Sequence, residues 1–365
     1  MENKNLIKSP WSDLEKQTTK PNLDLNAISI EITEILNTAC LTLNSVKQDV
    51  LSVENIDIAT EPKWLIIANT IRDTIKQIIS ILEVNNIENP SSFINALFWH
   101  EFYDLSIWSA DSARHALEKP YWYAWDMHLM KKTCEKENSW DNYERLTNLW
   151  FLDFPTAESV RQRAKSLYET LKRLPEWSKV LNLACWPALE VQWFLQNSDK
   201  NIDFTLLDND PQTLDYLHKQ KMDDRVTIKE ANAFKLSTQR LTNILEGEKM
   251  DLAYTSWLFD YIPDKFAPRI TEALFNQLKV WWKLIIWNYL KLSDTNPHPQ
   301  RQKFVMEEIL DWKLIYRSPD EIRWFLSKLD PDSYKYHIST EFFATNPNTP
   351  TWSIGFLIVE KLRQN

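Results

Sequence analysis

Three segments carry residues whose type and spacing could do chemistry, and each ends a β-like run. In LNLACWPALEV (181–191) a strand passes into a helix through Ala184, Cys185, Trp186, Pro187 and Ala188, with Asn182 near the strand end. Such a turn lets backbone approach a ligand and aims a helix N-terminus at it. In LLDNDP (206–211) Asp208 ends a second strand, about 25 residues on, where an acidic side chain can hold ribose hydroxyls. Asn209 follows, and Asp210 before Pro211 is placed to cap the next helix. In EANAF (230–234) Asn232 and Ala233 end a third strand, where a polar side chain can meet an adenine amine. Taken singly, each segment also reads as ordinary structure: a βα turn, a cap, a turn asparagine.

The elements that must position these residues follow from periodicity. Ile28, Ile32, Ile35, Ala39, Leu43, Val46 and Val50 recur at helical steps, and so do Ile67, Ile71, Ile75, Ile78 and Leu82. Residues 1–118 therefore read as a helical domain with a loose arm over 1–26. A helix with Val160, Ala164, Leu167 and Leu171 on one face ends before Pro175. From Lys179 apolar β-like runs alternate with helices: 179–184, 203–208, 225–231, 251–256 and 283–290. Alternation of this kind predicts an α/β fold with a mostly parallel, Rossmann-like sheet. Two final runs, 334–343 and 353–362, are close in sequence and predict an antiparallel hairpin. The second domain spans 119–365, with a helical cap over 119–176 and the core over 177–365.

The order of these segments resembles the class I S-adenosylmethionine (SAM) methyltransferases: LNLACxPALEV, TLLDNDPQTLDYL, YTSxLFDYIPD, then KLIIxNYL. KPYWYAWDMHLM (119–130) is similar to the K-P-x-G-Y-A-G-D segment of one subgroup. FLDFPTAESVRQR (151–163) and the stretch 288–318 resemble that subgroup's following elements. The subgroup is the bacterial methyltransferases that make 3-hydroxypalmitate methyl ester, an extracellular quorum-sensing signal. The resemblance covers residues 119–362 and implies SAM as cofactor, with methyl transfer to the carboxylate of a 3-hydroxy fatty acid. A carboxylate is ionised at neutral pH and needs no general base, so positioning is the main demand. Carried over, Tyr123, Tyr254 and Asn288 become the catalytic candidates. Asn182, Ala184, Cys185, Trp186, Asp208, Asn209, Asn232, Ala233, Ser256 and Asp126 become the cofactor-binding ones. Asp260 joins the cleft after strand four. Arg161 and Arg163 could pair an acceptor carboxylate, but read first as a solvated helix face.

Composition adds a tension. The chain has 2 Gly and 18 Trp in 365 residues, where an ordinary protein of this length carries roughly 25 Gly. Gly247 and Gly355 stand alone, so neither a dinucleotide fingerprint nor a Walker A loop is present. The subgroup's glycines fall instead on Trp122, Trp125, Trp186, Trp257, Trp281, Trp282 and Trp287. One explanation is glycine-to-tryptophan recoding: a UGA codon read as Gly in the cell and written here as Trp. The other is an inactive methyltransferase-fold protein that binds or dimerises, with Trp186 blocking the cofactor.

A net charge of −9 argues against a nucleic-acid partner, and with it against an RNA methyltransferase. His100-Glu101 lacks the second histidine of a zinc helix, so no metal is expected. Cys40, Cys134 and Cys185 are odd in number and far apart, which suits a reducing, cytoplasmic compartment. The opening residues lack the apolar core of a secretory signal, and no run is long enough to span a membrane. The helical N-terminal domain is a candidate homodimer surface.

Overall fold

The computed structural model describes residues 25–53, 56, 61–87, 90–120, 126–135, 141–291, 303–339 and 354–363. Two compact units emerge: residues 1–125, 135–154 and 297–313 form one, and 126–134, 155–296 and 314–365 the other. The expected cap over 119–176 is thus shared out, with 135–154 grouping with the helical unit and 155–173 with the sheet.

The helical unit contains α1 (Leu25–Leu51), α2 (Lys63–Val84), α3 (Ser91–Phe98), α4 (Glu101–Tyr103) and α5 (Asp111–Glu118). α4 runs on as a π-helical turn over Asp104–Trp108. α6 (Met127–Glu135) lies in the sheet unit except for its last residue, and α7 (Asn142–Leu152) returns to the helical one. The apolar stripes of α1 and α2 are buried as their periodicity predicts, with Leu36 taking the inward place expected for Ile35. α7 packs on both helices, and its Tyr143 hydroxyl donates to the Leu105 carbonyl at 2.7 Å.

After α6 the sheet unit continues with α8 (Pro155–Arg173). Then follow β1 (Lys179–Leu183), α9 (Leu189–Asn197), β2 (Asp203–Asp208), α10 (Pro211–Lys219), β3 (Val226–Glu230), α11 (Thr238–Ile244) and β4 (Met250–Thr255). α12 (Ala267–Asn276), β5 (Leu278–Tyr289), α13 (Pro319–Arg323), β6 (Tyr334–Ser339) and β7 (Ile354–Lys361) complete it. The sheet order is β3-β2-β1-β4-β5-β7-β6. β1 to β5 are parallel, while β7 runs antiparallel to both β5 and β6. This is the expected α/β, Rossmann-like sheet, five parallel strands plus an antiparallel C-terminal hairpin. β1 and β4 are buried along nearly their whole length, as strands covered on both faces must be.

β5 begins five residues before the expected 283. Met250 pairs with Leu278 and Leu252 with Lys283, so two steps along β4 face five along β5. The three extra residues form a bulge holding Trp281 and Trp282. Trp281 has φ 72° and is 66% exposed.

Candidate functional site

The order of the sheet reverses at β1, with β2 on one side and β4 on the other. In open α/β sheets a ligand binds beyond the carboxyl ends of the strands at this point. Here the β1 exit loop has an unusual backbone. Ala184, Trp186 and Ala188 have φ of 54°, 47° and 46°, left-handed at every second residue. L-residues adopt that region at a cost of roughly 1–2 kcal/mol each, and glycine does so freely. The trace is one that glycines would be chosen for, and no glycine stands in it.

Asp208, 3% exposed at the end of β2, holds this loop. Its Oδ2 accepts the Trp186 N–H at 3.0 Å, and Oδ1 accepts the N–H groups of Asn209 and Asp210 at 2.8 and 3.0 Å. Burial pushes its carboxyl above the usual range, and these donors pull it back. Asn209 is exposed beside it. Asp210 caps α10 as expected, accepting from Gln212 and Thr213. Asn232 caps a short 3-10 turn through Oδ1, which accepts the Phe234 N–H at 2.9 Å, and Ala233 is buried next to it. Cys185 is buried, its N–H on the Leu207 carbonyl at 3.2 Å, and burial drives its thiol well up.

Two catalytic candidates are committed elsewhere. Tyr254 is fully buried in β4; its hydroxyl donates to Glu190 Oε1 at 2.7 Å and accepts from Asn182 Nδ2 at 3.1 Å. Asn182 also donates to Glu190, at 3.0 Å, so Asn182 and Tyr254 form a closed buried triad with the α9 carboxyl. Asn288 gives its Nδ2 to the carbonyls of Tyr289 and Ile315, and its Oδ1 accepts from Arg317 at 2.5 Å. Arg317 is itself buried and donates to the carbonyls of Phe259 and Ile262. The β4 exit loop is thereby tied to the end of β5. The third catalytic candidate, Tyr123, lies outside the described residues, as do Trp122 and Trp125. Asp126 is buried and caps α6, accepting the N–H groups of His128 and Leu129 at 2.8 and 2.9 Å.

Three of the tryptophans gather at the strand ends. Trp186, after β1, stacks on Trp257, after β4, with ring centroids 5.3 Å apart and planes at 10°. The Arg163 guanidinium of α8 lies 3.9 Å from the Trp257 ring centre and 5.1 Å from that of Trp287 at the end of β5. Trp287 is fully buried, its centroid 3.7 Å from that of Phe356, well inside the ~4.5–7 Å usual for aromatic pairs, which marks an over-filled site. The Arg163 Nη1 donates to the Ser256 carbonyl and lies 3.6 Å from Asp260 Oδ2. Ser256 is buried, and Asp260 Oδ1 accepts the Tyr289 N–H at 2.7 Å.

Sequence reasoning missed Arg317 and Glu190 and read Arg163 first as part of a solvated helix face, whereas its side chain is fully buried. A signal existed for its burial: Arg163 falls on the same helical stripe as Val160, Ala164 and Leu167, where a charged residue is out of place unless it has work inside.

No family model matches the chain, and no curated protein does. Among solved structures, it resembles a protein of Bordetella parapertussis described as a possible exported protein, with TM-score 0.53 and 15% identity over 70% of this chain and 87% of that one. The SAM-dependent methyltransferase SibL in its apo form gives TM-score 0.45 and 12% identity over 78% and 88%. An O-methyltransferase family protein from Burkholderia thailandensis gives 0.41 and 13% over 58% and 60%. At these identities the likeness is one of fold.

Proposed function

We propose that this chain is built as a SAM-dependent methyltransferase that esterifies the carboxylate of a 3-hydroxy fatty acid or similar small acid, giving a signalling methyl ester. The observation that carries the reading is the β1 exit loop. Its backbone is left-handed at Ala184, Trp186 and Ala188 and is held by Asp208 at the end of β2. Backbone N–H groups, an acidic strand end and the Asn232 amide are the groups that would hold the amino-acid, ribose and adenine parts of the cofactor.

The side chains do not fit it. The Trp186–Trp257 stack spans the ends of β1 and β4, where the cofactor would lie. With tryptophan at both positions the crevice is filled, and no transfer step is derived through it. Two readings of this disagreement differ in kind. In the preferred one, these positions are glycine in the chain the cell makes, encoded by UGA. The left-handed φ of Trp177, Trp186 and Trp281 supports it, since bulky residues in that region are genuine outliers. In the other, the stack is the functional state, and the protein is an inactive methyltransferase-fold binding or dimerisation module. Mass spectrometry of the protein from its source cell decides between them: glycine at 186, 281 and 282 is expected, and UGG codons at all three overturn the recoding. Methyl transfer from SAM to 3-hydroxy fatty acids then tests the acceptor, and activity on an unrelated acceptor alone refutes it.

The acidic pI of 5.3 supports a small-molecule acceptor over nucleic acid. Among the described residues no helix is long and apolar enough to cross a membrane. Cys40, Cys134 and Cys185, none of them in a disulfide, support a cytoplasmic setting. Exposed Ile30, Leu41, Leu65 and Ile66 on α1 and α2 support pairing of two copies through the helical domain.

A further inference from the structure

Arg163 is a buried charge with an incomplete set of partners. Its side chain is 0% exposed, yet Nε and Nη2 have no hydrogen-bond partner. Among the described residues its carboxylate neighbour is Asp260, whose Oδ2 is 3.6 Å away while Oδ1 accepts the Tyr289 N–H. The Tyr289 hydroxyl, on a ring 5.4 Å from the guanidinium, is also buried and faces Arg163. Burying a guanidinium with two unpaired N–H edges costs several kcal/mol, and such orphaned donors call for an explanation. A planar pair of N–H groups matches a carboxylate in a two-pronged bond.

What lies along the same helix face gives the rest of the ligand. Ser166, Leu167, Thr170 and Arg173 follow Arg163 at steps of three and four and line a cavity of about 360 Å³ against Ile285, Phe356 and Ile358. Trp287 is common to both places, lining this cavity and lying 5.1 Å from the guanidinium. Its indole thus borders both the groove, whose apolar wall is Leu167, Ile285, Phe356 and Ile358, and the guanidinium.

We infer that Arg163, with the Tyr289 hydroxyl, is the carboxylate-binding group of the acceptor site, and that the groove along Leu167 and Ile285 takes the acceptor's apolar chain. The inference rests on the methyltransferase reading and adds which residues select an anionic, amphiphilic acceptor. Arg163 acts by binding, and its loss removes discrimination between an acid and its neutral ester.

The test uses the full-length chain carrying Trp186→Gly, Trp257→Gly and Trp287→Gly, titrated calorimetrically with 3-hydroxydecanoate and with its methyl ester. The acid is expected to bind at least tenfold more tightly than the ester. Adding Arg163→Met should abolish that ratio by weakening the acid alone, and Arg163→Lys should restore part of it. An unchanged ratio in Arg163→Met overturns the inference, and so does a failure of the acid to bind. Should the triple variant not fold by circular dichroism, the single Trp287→Gly chain, which removes the indole shared by the groove and the guanidinium, serves the same titrations. Acid binding that depends on Arg163 without any SAM binding would refute the methyltransferase reading and leave the anion site standing.

Discussion

The carboxylate of Asp208 and the backbone N–H of Trp186 are joined by a 3.0 Å hydrogen bond between the ends of β2 and β1. The same carboxylate accepts two further N–H groups from its own exit loop, so one buried side chain fixes both edges of the crevice. Asp208→Ala leaves three backbone donors without that acceptor. It should cost about 2 kcal/mol, and Asp208→Asn, which keeps one acceptor oxygen, less. Urea unfolding of the two variants checks this. Equal midpoints for Asp208→Ala and the parent chain would show that the latch carries no load.

Trp177 and Trp281 separate backbone strain from packing, because both are left-handed, with φ of 65° and 72°, and both are exposed, at 72% and 66%. Little buried area is lost on truncation. Glycine relieves the left-handed cost but adds chain entropy, for a net gain of about 0.5–1 kcal/mol at each site. Alanine keeps the strain and should bring no gain. Thermal or urea midpoints that rank alanine with glycine would sink the argument.

Much of the sheet was legible because apolar runs and helical stripes alternate, and β2 spans the 203–208 read from sequence. Asp210 as a cap was legible from the proline that follows it. The site was less so. Tyr254 and Asn288 sit at the strand positions a family resemblance points to, but whether a strand-end side chain faces a cleft or turns inward depends on its neighbours. Tyr254 meets Glu190 from α9, and Asn288 meets Arg317 from beyond β5, both distant in sequence. The loop is left-handed at Ala184, Trp186 and Ala188, residue types that do not favour that region. Without glycine to mark it, side-chain chemistry alone gave no sign of the backbone.

Glu190 makes stability fall with rising pH. Burial lifts its carboxyl from 4.5 to about 7, with the Tyr254 hydroxyl pulling it back. The folded chain keeps a proton that the unfolded chain has released. This contribution is therefore full below about pH 4.5 and is lost as pH climbs to about 7, a loss of roughly 3 kcal/mol. Asp260, raised to about 6 by burial, acts in the same direction. Glu190→Gln still accepts from Tyr254 and Asn182 and carries no charge. Its unfolding free energy should change less between pH 5 and 8 than that of the parent chain, and the variant should be the more stable at pH 8. Parallel pH profiles would assign the slope elsewhere.

Arg317 is the rivet of the β4 exit loop, donating to the carbonyls of Phe259 and Ile262 and to Asn288 Oδ1, with Asp264 2.8 Å away. Arg317→Met removes the charge but not the bulk, leaving buried acceptors unpaired at a cost of about 3–5 kcal/mol. Asn288→Ala removes one of those acceptors and should cost less. If Asn288 served the acceptor instead of the loop, its alanine variant would lose acceptor affinity at unchanged stability. A lowered urea midpoint in both variants, larger for Arg317→Met, supports the loop assignment.

The stack of Trp186 on Trp257 gives the sharpest forecast, because the two readings of the crevice part there. If the rings occupy the cofactor's place, SAM should not bind the chain with both tryptophans. Trp186→Phe, which keeps a ring over Trp257, should not bind it either. Trp186→Gly removes the ring and the left-handed strain at φ 47° together, and Trp186→Gly with Trp257→Gly clears both walls. Calorimetric binding of SAM should then appear in the double variant, more weakly in Trp186→Gly alone. Further replacement of Asp208 by alanine should weaken it at least tenfold, through the loss of the proposed ribose acceptor and of the latch on the loop. Saturable SAM binding to the parent chain would show that the stack lies beside the cofactor's path and not across it. No binding to a folded double variant would favour a module that uses this fold without the cofactor.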